Sequence, residues 1–195
     1  MPEISVCGRH GSPNFLKVSV KSSDIKDCIK RAPMRRVVVF GDSGARKSTL
    51  AKEYSDKFGL SHLDLDVLAW RDTHPPTRLP VEASAAKVQH FLDNNEEWII
   101  EGCYSDLLGL VLDKASEIVF LNPGEETCVR NCRSRPWEPH KYASPEEQDR
   151  SLSMLLAWVR QYSVRNDEFS LAAHQELFND YTGTKTEFNS NDRIA

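Results

Sequence analysis

The chain has 195 residues, 39% of them hydrophobic and 28% charged, which fits one ordinary domain and is short for two. It has no run of about 18 apolar residues, so no membrane span is expected, and the opening MPEISVCGRHGSPNFLKVSV has no apolar core behind a basic head, so no secretory signal is expected. With 25 basic against 29 acidic side chains the net charge is −4, an acidic balance that argues against nucleic acid as the main partner.

Five cysteines (Cys7, Cys28, Cys103, Cys128, Cys132) are an odd number without a tight framework. They read as reduced thiols of a cytoplasmic protein. Residues 1–33 are net basic (Arg9, Lys17, Lys21, Lys26, Lys30 and Arg31 against Glu3, Asp24 and Asp27) and leave the remainder acidic. Their apolar residues follow no sustained period, so an N-terminal extension of poor order is expected before a single domain over 34–195.

From Arg35 the pattern sharpens. Val37-Val38-Val39-Phe40 predicts a strand buried on both faces. A glycine-containing loop follows, then Leu50, Ala51, Tyr54 and Phe58 at helical spacing, with Gly59 as a helix stop. Ser61–Asp66 predicts a second strand ending in carboxylates. Val81, Ala85, Val88 and Leu92 predict an amphipathic helix, and Glu97–Glu101 a third strand closed by Gly102. Leu107, Leu108, Val111 and Leu112 fit a helix, and Glu117–Leu121 a fourth strand. Asn122-Pro123-Gly124-Glu125 predicts a helix start with Asn as cap and Pro in first position. Cys128, Val129 and Cys132 make its apolar stripe.

Ser144-Pro145-Glu146-Glu147 predicts a capping box for a helix carrying Leu152, Leu155, Leu156, Val159 and Tyr162. A last helix over Leu171–Tyr181 and a last strand over Lys185–Phe188 complete the chain. Alternating strands and helices predict a three-layer α/β fold with about five mostly parallel strands and helices on both faces.

The segment Gly41-Asp42-Ser43-Gly44-Ala45-Arg46-Lys47-Ser48-Thr49 carries the chemistry. It matches the phosphate-loop pattern G-x-x-x-x-G-K-[ST] at every fixed position but one: Arg46 stands where the second glycine belongs. In such a loop successive amides at a helix N-terminus cradle an anion, the lysine reaches the outer phosphates and the hydroxyl ligates Mg²⁺. Lys47 and Ser48 take those roles here, and Thr49 reaches an inner phosphate. A Cβ at position 46 threatens the close backbone approach that glycine permits, so impaired nucleotide binding stands as an expectation beside binding.

In order and spacing, VVVFGDSGARKSTLA, HLDLDVLAW, WIIEGCY, IVFLNP and CRSRPWEPHKY resemble the bacterial P-loop NTPases related to adenylate and shikimate kinases, a group described as AAA-family ATPase-like or DNA-topology-modulation kinase-like. The resemblance covers Met34 to Phe188. It implies ATP with Mg²⁺ and transfer of the γ-phosphoryl to a small-molecule acceptor. It implies that Asp64 and Asp66, at the end of the second strand, divide two tasks. One holds Mg²⁺ through water, assigned to Asp64. The other orients or deprotonates the acceptor hydroxyl, assigned to Asp66. Both serve one site only if the strand has ended by Asp66, because alternate strand residues face opposite ways.

Glu101 and Gly102 fall at the carboxyl edge of the sheet, where acceptor or metal-bound water would sit, and Trp70 and Tyr104 are candidates to wall an acceptor pocket. The resemblance also implies a basic lid near 130–145, with Arg133 and Arg135 closing on the phosphates. Arg160 and Arg165 read as surface salt partners. Cys128-x₃-Cys132 is one helical turn on an apolar stripe, not a zinc pair.

Three functions follow: a phosphotransferase with a small-molecule acceptor, a degenerate phosphate-loop protein that binds without turnover, and a nucleic-acid-associated kinase or ATPase. The acidic balance disfavours the third.

Overall fold

The β-branched run of the first strand needs cover on both faces, and the chain supplies it. A computed structural model of the protein describes residues 34–71, 73, 77–139 and 142–191; the expected extension over 1–33 lies outside them, as do His140 and Lys141 of the expected lid. The elements, in order, are β1 (Arg36–Gly41), α1 (Lys47–Phe58), β2 (Ser61–Asp64), α2 (Asp66–Ala69), β3 (Trp70–Arg71), β4 (Thr77–Arg78), α3 (Val81–Asp93), β5 (Trp98–Gly102), α4 (Ser105–Gly109), β6 (Glu117–Leu121), α5 (Glu125–Arg133), α6 (Pro145–Arg160), α7 (Leu171–Asp180) and β7 (Thr184–Phe188).

Five strands form one parallel sheet in the order β2-β5-β1-β6-β7. The register sets Val37 against Ile99 and Glu117, and Asp64 against Glu101. β1 lies in the middle with Val37, Val38, Val39 and Phe40 fully buried. Each such side chain contributes roughly 1.5–3 kcal/mol of transfer free energy. Alternation sends Val37 and Val39 into one core with Leu50 and Ala51 of α1, Cys128 and Val129 of α5 and Val159 of α6. Val38 and Phe40 enter the other, with Val88 of α3, Leu107 and Leu108 of α4 and the α7 side chains Leu177 and Phe178. Phe40 stacks on Phe120 at 5.1 Å. From β1 the chain turns toward β2, and from β6 toward β7. Connections that diverge in this way leave a crevice at the carboxyl edge of the sheet.

Three local expectations need correction. The second strand ends at Asp64, and α2 starts at Asp66. The helix expected to begin at Asn122-Pro123 begins at Glu125, with Gly124 as its cap at φ 86° and no side-chain cap; Asn122 instead continues the sheet, its amide donating to the Phe188 carbonyl at 2.8 Å. Arg165 is a salt partner, its Nε 3.7 Å from Asp167 Oδ1, but not a surface one: its side chain is 7% exposed and its guanidinium lies 3.3 Å from the Trp158 ring centroid. The short β3–β4 pairing was not expected from sequence. Among the described residues no helix is long and apolar enough to cross a membrane.

Candidate active site at the carboxyl edge of the sheet

The loop from Gly41 to Arg46 joins the end of β1 to the start of α1, and two glycines fix its path. Gly41 (φ 146°) abuts the Leu121 carbonyl, 2.1 Å from where a Cβ would lie. Gly44 (φ 82°) lies against α5, where a Cβ would stand 2.4 Å from the Cys128 carbonyl oxygen and 2.8 Å from the Cys132 sulfur. Asn131 of α5, itself buried, donates from Nδ2 to the Gly44 carbonyl at 2.8 Å and ties the loop to that helix. Arg46 adopts φ 67°, ψ 36°. It is the one described non-glycine residue in the left-handed region. The backbone therefore keeps the turn a glycine makes, at a cost of about 1–2 kcal/mol for a side chain there.

Lys47 opens α1, and its Nζ donates back to the Asp42 carbonyl at 3.0 Å. Burial opposes its charge, but nearby acidic groups, the carboxylates of Glu101, Asp66 and Asp42 among them, hold the ammonium above its usual range. Asp42 lies beneath the loop, 4% exposed. Its Oδ1 accepts the Ser43 amide at 2.7 Å, and Oδ2 has no partner among the described residues. Burial, only partly opposed by Lys47, pushes its carboxyl up to about 7.

A cavity of about 310 Å³ opens over this loop. Its floor is the loop and first turn of α1, from Ser43 and Gly44 through Arg46, Lys47, Ser48 and Thr49. One wall comes from the ends of β2 and β5: Asp66, Glu101 and Cys103. The opposite wall comes from α5 and the segment after it: Asn131, Ser134, Arg135, Pro136 and Glu138. Burial pushes the Cys103 thiol up to about 12, so it stays neutral. Arg135 is held by Glu138 at 3.0 Å.

Asp66 reaches the cavity because β2 has already ended. The Asp64 carboxylate accepts the Asp66 amide at 2.8 Å, a turn that starts α2 and aims the second carboxylate away from the strand. Asp64 itself is not on the cavity wall. Behind Asp66 stands a short relay: Trp70 Nε1 donates to the Tyr104 hydroxyl at 2.6 Å, which donates to Asp66 Oδ1 at 2.7 Å. Trp70 and Tyr104 thus brace the carboxylate instead of walling the cavity. Glu101 is 2% exposed, and its Oε1 has no hydrogen-bond partner among the described residues; His62 Nε2 is 3.8 Å away. Arg133 lies off this cavity and lines a smaller hollow with Tyr142, Gln148 and Asp149.

Sequence reasoning missed Asn131 and Ser134. Asn131 falls on the stripe that also carries Cys128 and Cys132, and nothing in spacing alone marks it as a contact of the loop.

The floor can receive an anion: α1 is a 12-residue helix whose first amides lack helical acceptors, and an ammonium stands beside them. Ser48 and the two carboxylates offer oxygens near a phosphate chain. Among the described residues no group of three or more His, Cys, Asp or Glu could hold a metal alone. Ser48, Asp66 and Glu101, all on the cavity lining, are oxygen donors of the kind Mg²⁺ takes, one or two from protein with phosphate and water completing its shell.

The sheet order, flanking helices and loop after β1 make this a three-layer α/β architecture, with a parallel sheet between helices and a glycine-bearing turn leading from its central strand into a helix. No family model and no curated protein matches the chain. Similar solved structures include an unliganded sugar kinase from Janibacter sp. HTCC2649, at 17% identity over 80% of this chain and 85% of that one, TM-score 0.44. Shikimate kinase from Bacteroides thetaiotaomicron is 21% identical over 82% and 90%, TM-score 0.48. Shikimate kinase from Acinetobacter baumannii, in complex with shikimate, is 16% identical over 74% and 89%, TM-score 0.40.

Proposed function

We propose that the protein is a phosphotransferase that binds ATP with Mg²⁺ and moves the γ-phosphoryl to a hydroxyl of a small-molecule acceptor. One observation carries the reading: the Lys47 ammonium and the amino end of α1 face the same cavity as the Asp66 and Glu101 carboxylates. A phosphate cradle and an acid wall then meet across a space of small-molecule size.

In this reading the amides of Gly44 to Thr49 and the Lys47 ammonium receive the β- and γ-phosphates. Ser48 ligates Mg²⁺, which supplies neutralisation of phosphate charge when bound. Asp66 accepts the proton of the attacking hydroxyl, aligned by the Tyr104 hydroxyl and by the hydrogen bond its own N–H donates to the Asp64 carboxylate. Arg135, on the far wall, leaves Glu138 to meet the charge that gathers on the transferred group.

A second reading, a phosphate-loop protein that binds without turnover, draws support from Arg46, a side chain on the cavity floor where glycine would leave bare backbone. Titration of a fluorescent ATP analogue and assay of phosphate transfer, on the native protein and on Lys47→Ala and Arg46→Gly, separate the two. The kinase reading expects binding by the native protein and loss of at least about tenfold in affinity in Lys47→Ala. A silent native protein whose Arg46→Gly form binds and turns over supports the second. Equal tight binding by native and Arg46→Gly forms removes impairment by Arg46.

A further inference from the structure

Asn131 is 8% exposed and stands on α5 beside Cys132, on a stripe that an apolar side chain would fill. A buried amide is costly unless its donors and its acceptor are met. Here they are met. Nδ2 donates to the Gly44 carbonyl at 2.8 Å and to Asn191 Oδ1 at 3.3 Å, and Oδ1 accepts from Asn191 Nδ2 at 3.2 Å. The Gly44 carbonyl decides which end of the amide meets the loop: turned over, oxygen would face oxygen.

The Gly44 carbonyl and the Ala45 N–H belong to one planar peptide and point opposite ways. That N–H donates to the Asp42 carbonyl at 3.2 Å, so Asn131 and Asp42 grip the peptide from its two sides. The same Asp42 carbonyl accepts the Lys47 ammonium at 3.0 Å. A phosphate entering the cavity competes with that carbonyl for the ammonium. When Lys47 turns to the phosphate the turn loses one of its bonds, and the grip on the Gly44–Ala45 peptide remains. Beyond Asn131, α5 runs on toward Ser134 and Arg135 of the far wall, so the same bond joins the floor of the cavity to that wall.

Resting on the phosphotransferase reading, we infer that Asn131 is a positioning residue for phosphate binding: it holds the Gly44–Ala45 peptide while Lys47 passes from the Asp42 carbonyl to the phosphates, and Asn191, from the segment after β7, holds Asn131. Asn131 donates nothing to the phosphate, because both its N–H groups are engaged by Gly44 and Asn191. It acts on the fraction of loops already in the receptive shape, and apparent affinity falls in proportion to that fraction.

The test uses the full chain with Mg²⁺ and two probes, tripolyphosphate and ATP. Asn131→Leu keeps a side chain of similar size and favours the helix, so a role in packing alone is met by leucine. Asn191→Ala removes the support from a half-buried position and leaves α5 unaltered. Titration calorimetry should show the dissociation constants of both probes raised about tenfold or more in Asn131→Leu and about threefold in Asn191→Ala. Amide hydrogen exchange gives the local readout. Ala45 should exchange about tenfold faster or more in Asn131→Leu, a larger factor than at Val38 and Val39 of β1.

Unchanged dissociation constants in Asn131→Leu overturn the inference. So does an Ala45 rate raised no more than those of Val38 and Val39, the mark of general loosening. If Asn131→Leu does not fold, Asn191→Ala carries the test by itself, and native dissociation constants there overturn the inference. A native protein that binds neither probe defeats the phosphotransferase reading and this one with it. Native binding that both substitutions leave intact defeats only this one.

Discussion

Two side-chain positions in the phosphate loop show how space, more than backbone angle, sets what the loop tolerates. Gly44 and Arg46 both have positive φ, at 82° and 67°. Arg46 is exposed, so its side chain has somewhere to go. Gly44 is buried against α5, with a carbonyl 2.4 Å from any added Cβ. That oxygen belongs to a helix and cannot yield cheaply. Gly44→Ala should therefore destabilise the protein by about 3 kcal/mol or more, combining left-handed strain with overpacking. Urea denaturation reads this directly. A loss under about 1 kcal/mol would mean that α5 gives way easily, and that the loop is less firmly held than the Asn131 bond implies.

At the scale of elements, the four-residue helix α2 decides where a carboxylate points. Its start is fixed by the Asp64 carboxylate on the Asp66 amide and by the buried Leu65, and its far end by the Ser84 hydroxyl on the Leu68 carbonyl at 2.9 Å. Tyr104, from the turn after β5, then locks Asp66 through its hydroxyl. Tyr104→Phe removes one bond from a carboxylate and leaves the Trp70 N–H without its acceptor. The expected cost is about 1–3 kcal/mol of stability. If Asp66 is the base, kcat should fall about tenfold or more with the ATP dissociation constant unchanged. Unaltered kcat would separate Asp66 from the chemistry.

For the whole molecule, two buried titratable groups oppose one another. His174 of α7 is fully buried; Nε2–H donates to the Cys103 carbonyl at 3.1 Å, and Nδ1 accepts the Tyr162 hydroxyl at 2.7 Å. One side chain thus ties α7 to the end of α6 and the end of β5, next to the cavity wall. Burial pushes its pKa down to about 4, so the folded state holds it neutral. Its stabilisation is complete above the unfolded value near 6.5 and is lost as pH falls toward 4, a change of about 3 kcal/mol.

Asp42 has the opposite sign. Its folded value of about 7 lies above the ordinary 3.8, so its contribution is present at acid pH and is lost as pH rises through 7. Between pH 4 and 6.5 the two partly cancel. Asp42→Asn should uncover the His174 effect as a steeper rise of unfolding free energy with pH over that range, measured by urea denaturation at half-unit steps. A profile unchanged by the substitution would mean that Asp42 does not titrate in this window.

How much of this was written in the chain can be judged residue by residue. The five strands of the main sheet, the longer helices on both faces and the phosphate loop were legible, because each rests on local patterns: a β-branched run, helical spacing, and a motif whose physics is confined to nine consecutive residues. Ser144 was legible for the same reason, and its Oγ accepts the Glu147 amide at 3.3 Å. The cap at Asn122 was misread because β7 claims its amide, a partner some 66 residues away that no local pattern reveals.

The site divides along the same line. Sequence by itself determined which residue types stand at the carboxyl edge of the sheet, since strand ends and loop chemistry are local. Only the tertiary structure decided that Asp64 holds a turn while Asp66 enters the cavity, that Trp70 and Tyr104 brace a carboxylate, and that Glu101 is buried with His62 Nε2 3.8 Å from its Oε1. Those outcomes depend on which groups from distant segments arrive within hydrogen-bonding distance, and on which polar atoms burial leaves without a partner.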